Sequence, residues 1–279
     1  MTGGYGGYGG AAPATRPVKR EHELRGDIVE VGRRLYAKGM IAAGDGNISA
    51  RMADDRILTT PSGRNKGRLS TEDLVVTDMQ GRKLYGTLEP SSELEMHLVM
   101  YHERPGRGAV VHAHPPHASG FAVAGIPMDQ PLLSEVILTL GTVPLAMYGT
   151  PTTPELAEAV RPYASHDGIL LANHGALTVG NDPFHAYDRM ETLEHSAHIY
   201  MVARTLGSEK PLSQEHVAKL EKIRERLQFS PPTHACMSCR VLDEQLAGAG
   251  APHAADGEGA YHLTRDELVD LIADVVRQL

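Results

Sequence analysis

The 279-residue chain has no tryptophan, three phenylalanines and two cysteines. Two thiols, Cys236 and Cys239, cannot build a disulfide framework, which points to a reducing compartment. No apolar stretch reaches the roughly 18–20 residues a membrane span needs. The N-terminal MTGGYGGYGGAAPATRP lacks the apolar centre of a secretory signal. Positive charge is scarce too: 27 Lys and Arg face 35 Asp and Glu, for a net charge of -8, with no long basic run. That balance argues against a general nucleic-acid or membrane-surface binder. These absences lead us to expect a cytoplasmic protein with no nucleic-acid or membrane partner. What the chain has in quantity is apolar residues at 41%, enough for a sizeable core, and an unusual 15 histidines.

Residues 1–19 are mostly Gly, Ala and Pro with a GGY repeat, and read as a flexible tail. From Arg20 a helical pattern carries Ile28, Val29, Val31, Leu35 and Met40, broken by Gly39 and Gly44. Short β-type runs follow at Asn47–Arg51, Ile57–Thr60 and Leu74–Thr77, separated by turn residues. Ser92 is expected to open a helix, with Glu95 as its capping-box partner. Ala109–His114 reads as a buried strand, His117–Ala124 as a helix, and Ile169–Asn173 as an apolar strand that Ala176–Val179 can pair with. Two long amphipathic helices fit Phe184–Leu206 and Ser213–Leu227. After Ser230-Pro231-Pro232 the composition turns linker-like, before a final helix capped by Thr264 and Glu267. The expected division is therefore a tail at 1–19, one catalytic domain at 20–230, and a linker with a helix at 231–279. Strands and helices intermix without strict βαβ alternation, which predicts an α/β sandwich with much antiparallel pairing.

His112 and His114 lie at i and i+2 of an apolar strand, so both imidazoles leave one face. His174 ends another apolar strand, before Gly175, which permits a tight turn. Three neutral imidazoles with an open fourth position form a catalytic zinc arrangement. The same residues also fit ordinary histidines near strand ends. Glu93, on the first turn of the helix that leads into the HxH pair, reads either as charge complementarity at a helix N-terminus or as a proton-transfer group beside a metal.

Three small-residue turns complete the pattern: Gly44-Asp45-Gly46-Asn47, Thr60-Pro61-Ser62-Gly63 and Ser91-Ser92. Backbone amides in such loops cradle phosphate oxygens. Arg64, Lys66 and Arg68 directly follow the second turn and form a local cationic stretch suited to an anionic substrate, or else a solvated basic loop.

Together, GDGNISAR, LTTPSG, EPSSELEMHLVMYHERPGRGAVVHAHPPH and LLANHGALTVG, in this order, resemble the class II aldolase/adducin family over about Glu21–Leu227. The resemblance implies a three-layer α/β/α sandwich around a mainly antiparallel central sheet, assembled as a homotetramer with active sites between subunits. It implies that His112, His114 and His174 ligate Zn2+ or another divalent metal, that Glu93 is catalytic, and that Asn47, Ser62, Gly63, Ser91 and Ser92 bind the substrate phosphate. The implied reaction is reversible cleavage of a ketose 1-phosphate, a pentulose or deoxyhexulose phosphate, to dihydroxyacetone phosphate and an aldehyde. Zinc acts there as the electron sink for the enediolate, and Glu93 moves the proton at carbon.

Glutamate at position 93 is the residue of the family's aldolases, where its epimerase carries aspartate. Against that, the segment Pro131–Glu135 lacks the tyrosine that the family's fuculose-phosphate aldolases carry there, and the loop after Tyr148 lacks their phenylalanine. A sugar-phosphate epimerase or a methylthioribulose-1-phosphate dehydratase on the same scaffold, or a non-enzymatic adducin-head-like module, are the alternatives. His97, one turn beyond Glu93, is read as packing. His195 and His198 are read as helix-face histidines, His117 as pocket-lining, and Cys236, Cys239 and His234 as free side chains rather than a second metal site.

Overall fold

The computed structural model describes residues 19–227. The expected N-terminal tail (but for Lys19), the C-terminal linker and helix, and the Cys236/Cys239 pair lie outside the described residues. Among the described residues eight strands form one sheet: β1 (Asn47–Arg51), β2 (Ile57–Thr59), β3 (Val75–Thr77), β4 (Lys83–Tyr85), β5 (Ala109–Ala113), β6 (Leu145–Ala146), β7 (Gly168–Leu171) and β8 (Gly175–Gly180). Their order across the sheet is β4-β3-β2-β1-β5-β8-β7-β6. Neighbours pair antiparallel, except β6 and β7, which run parallel. The central strands β1, β5, β7 and β8 are buried on both faces, with only Arg51 partly exposed. A sheet in that position is a middle layer.

Among the described residues seven α-helices accompany it: α1 (Glu21–Ala37), α2 (Leu94–Glu103), α3 (Pro116–Val123), α4 (Ser134–Thr139), α5 (Pro154–Val160), α6 (Pro183–Thr205) and α7 (Gln214–Arg226). Alternation along the strands sorts side chains between two cores. Ala109, Val111 and Ala113 of β5 and Leu170 of β7 join α1, α3 and α6, whereas Val110, Ile169, Leu171, Leu177 and Val179 join α2 and α5. The fold is thus the expected three-layer α/β/α sandwich around a mainly antiparallel sheet. Among the described residues no helix is long and apolar enough to cross a membrane.

Two local expectations are corrected. The α2 helix starts at Leu94, not Ser92, and its N-cap is Glu93, whose side chain caps nothing. The Ser92–Glu95 capping box is not formed; Ser91 Oγ instead accepts from the Glu93 amide at 3.3 Å. Met40 lies past the end of α1, where the Met40 carbonyl takes the His114 amide at 3.0 Å.

Candidate metal and phosphate site

The site sits where β1, β5 and the β7–β8 turn meet the start of α2. Asn47 lies opposite His112 in the β1–β5 pairing. Both side chains leave the sheet on the side of Val110, toward α2, because the alternate residues Ile48 and Val111 feed the opposite core. His114, one residue beyond β5, keeps the same side. His174 arrives from the turn Ala172-Asn173-His174, whose left-handed residue is Asn173 at φ 55°. Gly175 is therefore not what makes the turn tight. A Cβ there would lie 2.5 Å from the Ala113 carbonyl oxygen and 2.7 Å from His114 Cδ2, so glycine is needed to let the His114 ring in.

The ligand-type atoms of His112, His114 and His174 all lie within 4.8 Å of one another. The three rings have centroids 4.7–4.9 Å apart and are mutually tilted by 60–67°, forming a cup. His112 Nδ1 donates to the Ala176 carbonyl at 2.9 Å, which fixes its tautomer and leaves the Nε2 lone pair facing inward. His114 Nε2 stands 3.1 Å from that atom. Two imidazole nitrogens on one tetrahedral zinc would be about 3.3 Å apart. His174 Nε2 turns to the same centre, while its Nδ1 is buried without a partner. Burial holds His112 well below the ordinary histidine range, and the nearby imidazoles of His174 and His114 add to this. Burial also lowers His174, opposed by Glu93. Neutral rings with convergent lone pairs are what a divalent cation requires, so the donor set fits one.

Glu93 closes the cup. Its Oε1 is 3.3 Å from His174 Nε2 and its Oε2 3.4 Å from His112 Nε2. The buried Asn47 amide donates to Oε2 at 2.8 Å and aims the carboxylate. Asp45 stands behind His114, with Oδ2 3.6 Å from Nδ1, too far for a hydrogen bond.

Four of the predicted phosphate residues, Ser62, Gly63, Ser91 and Ser92, are brought together by a short antiparallel contact, with Pro61 bridged to Pro90. The Ser62 amide donates to the Glu89 carbonyl at 3.0 Å, and the Ser91 amide to that of Thr60 at 3.1 Å. Ser62 and Gly63 thereby lie beside Ser91 and Ser92, on exposed or half-buried backbone next to the Glu93 helix start.

Two contributors, Ser49 and Asp45, carry no role in the sequence reading, and for a third, Lys66, the structure decides between the two roles that reading left open. Ser49 Oγ lies 2.7 Å from His97 Nδ1 and 2.8 Å from the Tyr101 hydroxyl, so His97 is part of a buried polar network, not apolar packing alone. Asp45, a turn residue by sequence, places its carboxylate beside His114. Lys66 is 3% exposed, not solvated. Residues at i, i+2 of β1 and i, i+4 of α2 were the available signal for the first.

His117 and the helix-face histidines form a separate group. His117 Nδ1 meets Glu194 at 2.7 Å, and the His117 ring stacks on His198 at 4.1 Å. His195 and His198 are exposed and join no cluster of three metal-binding side chains among the described residues. Tyr148, which precedes the loop that lacks the family's phenylalanine, is exposed.

Residues 26–201 match the model of the Class II Aldolase and Adducin N-terminal domain. The chain belongs to this family. Among its curated relatives, a 3-oxo-tetronate 4-phosphate decarboxylase of Haemophilus influenzae is 35% identical over 179 residues, covering 62% of this chain and 84% of that protein. A 5-deoxy-D-ribulose 1-phosphate aldolase of Bacillus thuringiensis serovar kurstaki is 32% identical over 201 residues, or 71% and 93%. A solved L-fuculose 1-phosphate aldolase superposes with a TM-score of 0.70 at 27% identity, covering 76% of this chain and 99% of that one. As in this class II aldolase superfamily generally, the chain carries the scaffold of a sugar-phosphate lyase.

Proposed function

We propose that the protein is a zinc-dependent aldolase that reversibly cleaves a ketose 1-phosphate to dihydroxyacetone phosphate and an aldehyde. The observation that carries this reading is the cup of three imidazoles closed by the Glu93 carboxylate at 3.3–3.4 Å. His112, His114 and His174 hold the cation, and three nitrogen donors favour zinc among the common divalent ions. An ion held by these three imidazoles would supply Lewis-acid polarisation of the oxygens next to the bond that breaks. Asn47, Ser62, Gly63, Ser91 and Ser92 anchor the phosphate with amide and hydroxyl donors, which fixes the sugar's reach toward Glu93. Glu93 delivers the proton to the carbon that loses its bond partner, and removes it in condensation. Asn47 holds one carboxylate oxygen, so the other faces the substrate.

A second reading has its own support. The Haemophilus influenzae relative is named a decarboxylase, and loss of CO2 from a phosphorylated 3-oxo acid leaves a carbanionic carbon that Glu93 would protonate in the same way. A homotetramer is proposed with either reading, since Val123 on α3 and Met201 and Val202 on α6 leave apolar surface exposed.

The deciding experiment has two parts. Metal analysis of the purified protein should return about one zinc or other divalent ion per chain. Incubation with a panel of ketose 1-phosphates should then release dihydroxyacetone phosphate. Release of CO2 from a 3-oxo acid phosphate with no cleavage of any ketose phosphate would select the second reading. A chain that takes up no divalent metal would remove both.

A further inference from the structure

The five phosphate positions proposed above are all neutral. Asn47, Ser62, Gly63, Ser91 and Ser92 offer dipoles, whereas a phosphate monoester brings a charge of about -1.5 to -2 near neutral pH. Its surroundings include two carboxylates, Asp45 and Glu93. The divalent ion proposed between the three imidazoles offsets the carboxylates beside it, but none of the five phosphate positions brings a cation to the phosphate itself.

Of the basic residues in the turn that follows Gly63, Arg64 and Arg68 face solvent, but Lys66 turns inward. Lys66 opens a short 3-10 turn capped by Asn65, whose side chain accepts from the Gly67 amide at 2.9 Å. Lys66 Nζ donates to the Gly44 carbonyl at 2.6 Å. Gly44 is also where the first two loops touch, since a Cβ on it would lie 3.7 Å from the Gly63 carbonyl carbon. The ammonium therefore sits beneath the junction of the Gly44–Asn47 and Ser62–Gly63 turns.

Burial lowers the Lys66 amine from its ordinary value, and the fields of Asp45 and Glu93 push it back up. Burying an ammonium costs several kcal/mol. Holding a single carbonyl does not require a charge, because an amide side chain would serve. An ammonium has three donors, and the Gly44 carbonyl takes one.

We propose that Lys66 is the charged floor of the anion site, binding the phosphate of the phosphorylated substrate with the donors that Gly44 does not take. This rests on the sugar-phosphate reading above. It adds a residue that reads the substrate's charge, where the loops read only its shape.

Titration calorimetry of the full-length protein with inorganic phosphate tests it, with metal content matched across variants. Lys66→Met should raise the phosphate Kd by roughly ten-fold or more, while its thermal midpoint stays level or rises because a buried charge has been removed. Lys66→Gln retains a donor for Gly44 and lacks the charge; it should show the same loss, and it decides the matter if the methionine variant does not fold. The double variant Arg64→Ala/Arg68→Ala should stay within about three-fold of wild type. Phosphate affinity in either Lys66 variant within two-fold of wild type would overturn the proposal, as would a loss confined to the arginine pair. A wild-type protein that binds no phosphate would instead overturn the sugar-phosphate reading, before any variant is made.

Discussion

Asn47 Nδ2 donates to Glu93 Oε2 at 2.8 Å, tying the first residue of β1 to the residue that caps α2. The pair is one rung of a ladder. Asn47, Ser49 and Arg51 leave one face of β1, and Glu93, His97 and Tyr101 follow at four-residue steps along α2. Two residues of strand advance about 6.6–6.8 Å and four of helix about 6 Å, so the rungs stay in step. Asn47→Ala should leave metal content unchanged and lower kcat by about 10–100-fold, since the carboxylate loses its aim. Asn47→Asp should be worse, because it sets a carboxylate against a carboxylate. Full turnover in the aspartate variant would detach Asn47 from the site.

Glu93→Gln separates proton transfer from metal binding. The amide preserves size and can still accept from Asn47, but it cannot exchange a proton. Bound metal should match wild type, while turnover on the accepted substrate falls by about 10²–10⁴-fold. Metal analysis and steady-state rates on one preparation check both. A variant that lost its metal along with its activity would make Glu93 a ligand instead of a proton carrier.

Much of this site was legible because its chemistry rides on short local patterns. The HxH pair needs only the two-residue period of a strand, and His174 follows an apolar run that the antiparallel register then brings beside it. What sequence could not show is direction across the sheet. Lys66 and Arg64 look alike in a basic turn, and only the packing of that turn against α1, where a Cβ on Gly32 would lie 2.4 Å from the Lys66 carbonyl oxygen, turns one of them inward. The strands β4 and β6 were missed for different reasons. Lys83–Tyr85 is exposed throughout and has no apolar period, and Leu145–Ala146 is two residues long. The Ser92 cap is not formed because the Pro61–Pro90 bridge is followed by a turn, closed by the Leu94 amide on the Ser91 carbonyl at 3.1 Å, which delays the first helical residue to Leu94.

His97 should make the fold acid-sensitive. It is fully buried, its Nδ1 shares a hydrogen bond with Ser49, its Nε2 has no partner, and burial pushes its pKa down to about 3. The unfolded chain takes up this proton near pH 6.5 and the native chain holds out to about 3. Across that window the unfolded state binds more protons, and stability falls as pH falls, by about 1.4 kcal/mol per pH unit for this one group. His97→Asn keeps a donor for Ser49 and removes the titration. Urea unfolding at pH 7 and pH 4.5 should show a smaller pH loss in the variant than in wild type. Equal losses would mean that His97 is already protonated or exposed in the native state.

Asp167, at the opposite end of β7 from the turn that carries His174, should matter for stability alone. It is 2% exposed and precedes β7. It takes Arg104 from the end of α2 at 2.6 Å, Arg107 from the following loop at 2.9 Å, and Arg189 from α6, while Arg224 of α7 stands 3.8 Å away. Burial pulls the Arg189 guanidinium down to about 10 even with Asp167 against it, a sign of how little solvent screens the cluster. Asp167→Asn keeps the shape and removes the counter-charge from several buried cations at once. Removing one partner of such a cluster costs about 3–5 kcal/mol, which for a chain of this size lowers Tm by roughly 10 °C. Arg224→Met removes only the most distant member and should cost about 1 kcal/mol or less, because methionine fills the apolar part of its place. Metal content and phosphate affinity of Asp167→Asn, measured well below its Tm, should equal wild type. An unchanged Tm would mean that the arginines are neutralised without Asp167; a lost metal site at permissive temperature would mean that the cluster positions the cup as well as the fold.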